Sequence, residues 1–367
     1  MKVAISMIVT CDKKIDRKEL IRDLKEQNYE VVYIGQESKN TINPDFEELG
    51  VEFLSIPVGR NNINPFNEIK SLLAAKKVMQ DNNIDTLLAY GIKTFPTMAI
   101  GAKLAGIKKI ICIVNGSGRL FQLAGVKGKI VKLISYPMLW LAFLFSSHIF
   151  FQNQDDLKML RKKKLLPRNN YNTINGSGVN LDTYELQEMV HKPVFLMLSR
   201  LTGSKGVNEY IEAAIQIKRL YPESVFYLVG PMDDQEESIN KERLHKAVSE
   251  GVIKLKGKVE NVASYIQLCK VFVLPSYYPE GIPRSILEAM AMGRPILTTN
   301  SPGCRETVEH GENGFLVEPR NSQDLVEKMK WFIENDAKIP EMGKRSREIC
   351  EERFDVNKVN KTIIDEI

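Results

Sequence analysis

The chain has 367 residues, of which 43% are hydrophobic and 26% charged, and a net charge of +5. This is the composition of a globular protein, and the length favours two domains over one. The cysteines, Cys11, Cys112, Cys269, Cys304 and Cys350, are scattered, odd in number and without C-x-x-C spacing, which argues against a disulfide framework or zinc site and for a reducing cytosol.

The charge is uneven. Through Asn180 there are 26 Lys/Arg against 16 Asp/Glu, a balance of +10, and the remainder carries −5. Between Asp85 and Asp155 no acid occurs, yet Lys93, Lys103, Lys108, Lys109, Arg119, Lys127, Lys129 and Lys132 do. A field of one sign suits an anionic partner such as a membrane or a phosphorylated lipid. The alternative is a basic surface kept for solubility. Nucleic acid fits less well, because this stretch mixes its bases with long apolar runs.

The opening MKVAISMIV is too short for a signal peptide and reads as a first buried strand. Helical pattern follows in RKELIRDLKEQ, then strands YEVVYIG and VEFLSIP, the helix FNEIKSLLAAKKVMQDN, and strands DTLLAYG, KIICIVNG and HIFFQN. Apolar strands alternating with amphipathic helices imply βαβ units and a parallel sheet. After KIICIV comes Asn115-Gly116-Ser117-Gly118-Arg119, either a plain turn or a loop facing a ligand.

From Leu133 to Gln154 there is no Asp, Glu, Lys or Arg. That length could span a bilayer. Pro137 and Ser146-Ser147-His148 interrupt it, so a helix over about 129–145 followed by a strand is the better reading. Lys127, Lys129 and Lys132 precede Tyr136, Trp140, Phe143 and Phe145, a pattern that suits an interfacial membrane contact. The competing reading is a buried core helix. The run Arg161–Lys164 is expected in a loop. The pairs Asp155-Asp156 and Asp233-Asp234 read as solvated loop residues, with no D-x-D metal site.

The glycines of NGSGVNLDTY (Asn175–Tyr184) suit a hinge, with domains over about 1–178 and 179–350 and a last helix, 351–367, returning to the first. The second half continues with strands PVFLMLSR, VFYLVGP, VIKLKGKV, VFVLPS, PILTTN and GFLVEP. In SRLTGSKGV, Arg200 follows a strand and Lys205 precedes a helix, which is where α/β proteins bind ligands, and two such cations can neutralise phosphates. In YYPEGIPRSILEAMAMG, Pro283 suits a first helical turn and Gly293 a position just past the helix end. The helix start is a seat for a diphosphate. Glu280 and Glu288 flank it, and carboxylates there are better placed to accept from sugar hydroxyls than to meet phosphate.

Taken together, R-L-x-x-x-K-G, the strand ending P-S, E-G-x-x-x-S-I-L-E-A-M-A-x-G-x-P-I, P-G-C-R-E-T-V and G-x-N-G-F-L-V resemble the retaining nucleotide-sugar glycosyltransferases of family four. The resemblance covers the second domain and implies the GT-B architecture, two doubly wound Rossmann-like domains facing across a cleft. Enzymes similar to it build bacterial capsule, O-antigen and lipid-linked oligosaccharides, usually from a UDP-sugar, with a polyprenyl-diphosphate saccharide as acceptor, at the inner face of the membrane and without a metal cofactor. The resemblance further implies that Arg200 and Lys205 hold the donor diphosphate. Backbone N–H groups of Gly281 and Ile282 would touch phosphate and sugar, Glu280 the transferred sugar, Glu288 the ribose, and Lys258 and Val259 the base.

The first domain departs from the pattern. Thr10-Cys11-Asp12-Lys13 lacks the family's glycines, and no histidine falls at the usual place; His148, opening a strand, reads as structural. Asn115 is the substitute sugar contact, Gly116, Ser117, Gly118 and Arg119 the acceptor side, and Lys127, Lys129, Lys132 and Trp140 the membrane contact. A nucleotide-sugar 2-epimerase of the same fold and a non-catalytic nucleotide-sugar sensor are the rival readings.

Overall fold

The computed structural model describes residues 1–36, 41–57, 65–232 and 238–367. The chain divides into two compact units, one comprising Met1–Ser177 with Asn357–Ile367, the other Gly178–Val356.

The first unit contains β1 (Lys2–Thr10), α1 (Lys18–Glu26), β2 (Glu30–Gln36), α2 (Asp45–Glu48), β3 (Glu52–Ile56), α3 (Pro65–Asp81), β4 (Thr86–Tyr90), α4 (Phe95–Leu104), β5 (Lys109–Val114), α5 (Gly125–Phe145), β6 (His148–Phe151), α6 (Gln154–Lys162) and β7 (Tyr171–Thr173). Its parallel sheet runs β3-β2-β1-β4-β5-β6-β7. The strands β4 and β5 are buried nearly throughout, and this explains their unbroken apolar sequences. Helix α1 points Leu20, Ile21 and Leu24 inward at helical spacing. The strand β7, three residues of YNT with two exposed, lacks the apolar run that would announce it.

The second unit contains β8 (Val194–Leu198), α7 (Val207–Leu220), β9 (Val225–Val229), α8 (Lys241–Ser249), β10 (Ile253–Gly257), α9 (Ala263–Leu268), β11 (Val271–Leu274), α10 (Arg284–Ala291), β12 (Ile296–Thr299), β13 (Gly314–Val317), α11 (Ser322–Glu334) and α12 (Ile339–Ile349). The sheet order is β10-β9-β8-β11-β12-β13, again parallel. The last helix, α13 (Val356–Ile364), buries Val359, Ile363 and Ile364 in the core of the first unit. There Asn360 donates to Asp23 at 2.7 Å.

Both sheets reverse their winding direction between the first and fourth strands, β1/β4 in one unit and β8/β11 in the other. In doubly wound sheets the ligand crevice lies at such a switch point, beyond the carboxyl ends of the strands.

Candidate active site

In the second unit, the loops leaving β8 and β11 meet at the switch point. Lys205, almost buried, donates to Glu280 Oε2 at 2.5 Å. The other oxygen of Glu280 accepts from the buried Ser276 hydroxyl at 2.9 Å. The Lys205 ammonium also lies 5.6 Å from the Tyr278 ring centroid, a cation–π distance. Glu280 is therefore fixed at both oxygens, and Lys205 is held between a carboxylate and an aromatic face. The Tyr277 N–H donates to the Ser204 carbonyl at 2.9 Å and ties the two loops together.

Two glycines permit this arrangement. Gly206 has φ 82° and packs so closely that a Cβ would sit 2.2 Å from the Pro275 carbonyl oxygen. Gly303, in the loop after β12, has φ 86°, and a Cβ there would meet the Gly281 carbonyl oxygen at 2.1 Å. Neither position accepts a side chain, because the backbone conformation and the space both exclude it.

The other expected donor residues follow β8, β10 and β11 of the same sheet. Arg200 is exposed just beyond β8, and Gly281 and Ile282 are buried immediately before α10. Pro283 is the N-cap of α10, with extended ψ 122°, rather than a residue of its first turn. It contributes no N–H, and Arg284 opens the helix. Glu288, one turn in, has a mostly buried side chain 4.0 Å from the Arg284 guanidinium. Gly293 follows the helix end with φ 74°, as the sequence pattern requires. Val259, after β10, packs against the core, and Lys258 is exposed. Cys304, next to Gly303, is fully buried. Burial, reinforced by the charge of Glu280, pushes its thiol up to about 12, so it stays protonated and inert.

In the first unit, Asn115, Gly116, Ser117 and Gly118 leave β5 at the carboxyl edge of the sheet. Gly116 has φ 113° and Gly118 φ 60°. Asn115 Oδ1 lies 3.7 Å from the position of a Cβ on Gly91, which brings the loops after β4 and β5 together. The sequence reading misplaced Asp156. It is a buried residue in the first turn of α6, and its carboxylate accepts from the Asn153 side-chain amide at 2.9 Å. Asn153 caps α6 by accepting from the Asp156 N–H at 2.8 Å. The pair Asp233-Asp234 and the side chains of Arg119 and Lys127 lie outside the described residues. Among the described residues there is no cluster of three His, Cys, Asp or Glu side chains able to hold a metal. His148 opens β6, where it bonds Asn172 at 2.9 Å and lies 3.4 Å from Glu366, a structural setting.

Helix α5 starts at Gly125, four residues before the sequence placed it, and carries Pro137 inside it. By length and composition its stretch Gly128–Phe145 could cross a membrane. One face packs into the unit through Leu139, Ala142 and Phe143, the last 4.9 Å from Phe95. The opposite face exposes Val126, Ile130, Leu133 and Trp140, and Lys129 stands exposed beside it. Lys132 donates to the Leu123 carbonyl at 2.7 Å. The basic run is not wholly a loop: Arg161 and Lys162 end α6, and Lys163 reaches the rings of Phe121 and Tyr136 at 6.0 and 5.9 Å.

Sequence reasoning missed Ser276, Tyr278 and Asp156. The dipeptide Pro275-Ser276 at the end of β11 was visible, but the role of its hydroxyl was not.

Two parallel doubly wound sheets define a GT-B protein. The chain aligns over its whole length with the crystal structure of Anabaena HepE in complex with UDP and glucose, at TM-score 0.79 and 20% identity, covering 98% of that chain. Residues 184–349 match the family described as glycosyl transferases group 1. The chain therefore carries a group 1 glycosyltransferase domain and is a glycosyltransferase. It is 28% identical over 334 residues, 87% of this chain and 86% of the relative, to the N,N'-diacetylbacillosaminyl-diphospho-undecaprenol alpha-1,3-N-acetylgalactosaminyltransferase of Campylobacter jejuni. It is also 25% identical to the UDP-Gal:alpha-D-GlcNAc-diphosphoundecaprenol alpha-1,3-galactosyltransferase of Escherichia coli, over 86% of this chain and 83% of that one.

Proposed function

We propose that the protein transfers a hexose or N-acetylhexosamine from a UDP-sugar to a saccharide carried on a polyprenyl diphosphate, with retention, in the assembly of a bacterial surface glycan. The observation that carries this reading is the Lys205–Glu280–Ser276 constellation at the switch point of the group 1 domain. It joins a cation for the donor diphosphate to a rigidly held carboxylate for the sugar beside it. The diphosphoundecaprenol acceptors in the names of both relatives support the acceptor class.

In this reading Arg200, Lys205 and the start of α10 meet the charge that builds on the leaving UDP. The anomeric carbon–phosphate oxygen bond breaks as an acceptor hydroxyl attacks the same face. Its proton passes to the departing phosphate oxygen. Glu280 accepts from hydroxyls of the transferred sugar, Glu288 from the ribose, and the peptide at Val259 meets the base. A glycosidase-like acid/base pair would flank the scissile bond; here the two glutamates divide between sugar and ribose. Asn115 and the loop Gly116-Ser117-Gly118-Arg119 serve the acceptor side. The apolar face of α5 with Lys127, Lys129 and Lys132 rests on an anionic membrane, where the acceptor resides. A crossing orientation would expose Leu139, Ala142 and Phe143, so the helix lies along the surface.

The test is incubation with a panel of UDP-sugars with and without a polyprenyl-diphosphate saccharide. UDP release and a heavier lipid-linked product only in the presence of acceptor are expected. An epimerised donor without acceptor, or binding without either product, would overturn the assignment.

A further inference from the structure

We propose that Arg320 is a positioning residue for the loop between β11 and α10: its guanidinium clamps the Tyr277 ring and so sets the Ser276–Glu280 segment. The inference rests on the sugar-holding role proposed above for Glu280. Arg320 lies exposed in the turn between β13 and α11, and its guanidinium carbon stands 4.6 Å from the Tyr277 ring centroid, a cation–π distance. Strand β12 separates β11 from β13 in the sheet, so the contact reaches across the end of β12.

Tyr277 sits where that loop is fastened. Its N–H donates to the Ser204 carbonyl at 2.9 Å, next to Lys205. The Ser276 carbonyl before it accepts from the buried Thr299 hydroxyl. The Ser276 hydroxyl donates to Glu280 at 2.9 Å and accepts from the Tyr278 N–H at 3.3 Å. The Glu280 N–H closes the loop on the Tyr278 carbonyl at 2.8 Å. These bonds hold the main chain, and Arg320 holds the ring. A ring held at one end of so short a loop resists the swing that would carry Tyr278 and Glu280 away from Lys205.

The backbone of Arg320 is an independent observation. Its φ is 62°, in the left-handed region, at the third position of a turn in which Pro319 is second and the Asn321 N–H returns to the Glu318 carbonyl at 3.3 Å. Glycine takes that position without strain, whereas a long L side chain crowds its own carbonyl. Asn28 and Asn83, which also have positive φ, belong to the residue type that tolerates it, and arginine does not. Such strain is kept where the side chain is used.

Arg320→Gly removes the guanidinium and relieves the backbone together. The relief is offset by the greater freedom of glycine in the unfolded chain, so Tm should stay within about 3 °C of wild type or rise. Turnover with the full donor and a polyprenyl-diphosphate acceptor should still fall about 10-fold, a part of the roughly 100-fold that a 1 Å displacement costs, with UDP affinity unchanged within about twofold. Amide hydrogen exchange of residues 276–281 should accelerate about 10-fold. Arg320→Lys keeps a cation and Tyr277→Phe keeps the ring, so each should retain about half of wild-type turnover or more. Tyr277→Leu should reproduce the loss, with the double variant Arg320→Gly/Tyr277→Leu no slower than Tyr277→Leu alone. Wild-type turnover in Arg320→Gly would overturn the positioning role, and wild-type exchange of 276–281 would overturn the clamp. A fall in Tm of more than about 8 °C would reduce Arg320 to a general stabiliser of the unit. A loss of UDP affinity of about tenfold would show that Arg320 meets the nucleotide itself and not the loop. Failure of the wild-type protein to glycosylate the acceptor would instead refute the proposed function and leave the exchange result to decide the clamp.

Discussion

Replacing Glu280 by Ala should separate stability, UDP binding and turnover. In the folded unit the carboxylate lies 2.5 Å from Lys205, and the two side chains are only 17% and 10% exposed. At an effective dielectric of about 20 their attraction is about 7 kcal/mol, much of it offset by the desolvation of both groups. Removing one partner leaves a nearly buried ammonium with the Tyr278 ring and costs about 3 kcal/mol. For the unit Gly178–Val356 this corresponds to a fall in Tm of about 6–12 °C. A diphosphate supplies the missing anion. UDP, which has no transferred sugar for Glu280 to hold, should therefore bind the variant as tightly as wild-type or more tightly. Turnover with the full donor should fall about 100-fold, through loss of charge-assisted bonds to sugar hydroxyls worth about 1.5–3 kcal/mol each. Isothermal titration with UDP, thermal unfolding with and without UDP, and a coupled UDP-release assay measure the three quantities. A tenfold loss of UDP affinity with turnover intact would show that Glu280 serves the nucleotide, and the division of roles would be wrong.

Glu288→Ala should do the reverse, weakening UDP by about 10- to 100-fold through lost ribose bonds, with kcat at saturating donor nearly preserved; an unchanged UDP affinity would count against the ribose assignment. Leu133→Glu with Trp140→Glu places charge on the exposed face of α5 without touching its buried residues, so flotation with anionic liposomes should be lost while Tm changes little; undiminished flotation would dismiss this face as the membrane contact. Burial pushes the thiols of Cys112, Cys269 and Cys304 up to about 12, against about 9 in the unfolded chain. Because these folded values are raised, the associated stability is complete below about pH 9. It is lost as pH climbs toward 12, by at most about 1.4 kcal/mol per thiol per unit. Urea titrations from pH 8 to 10.5 should show that decline, and triple Cys→Ala substitution should flatten it.

Twelve of the strands could be read directly, because a parallel sheet covered on both faces demands continuous apolar segments such as LLAY and VFLML. The three-residue strand β7 escaped, since two of its residues face solvent and only pairing with β6 makes it a strand. The position of α5 was legible in outline from its uncharged sequence. Which of its faces is buried depends on Phe95 and the sheet beneath, tens of residues away.

For the site, sequence determined what is local in the chain: a lysine after the first strand of the second sheet, a glutamate before α10 and another one turn inside it, and glycines where no Cβ fits. Contacts between distant segments belonged to the tertiary structure alone. Lys205 and Glu280 are 75 residues apart and meet because β8 and β11 are neighbours at the switch point. Asp156 reads as a solvated acid in its own sequence and is buried, in the first turn of α6 with Asn153, only in the packed unit. Local pattern encodes conformation and amphipathic direction. Charge pairing and desolvation depend on which strands adjoin, and that is decided only when the sheet closes around its core.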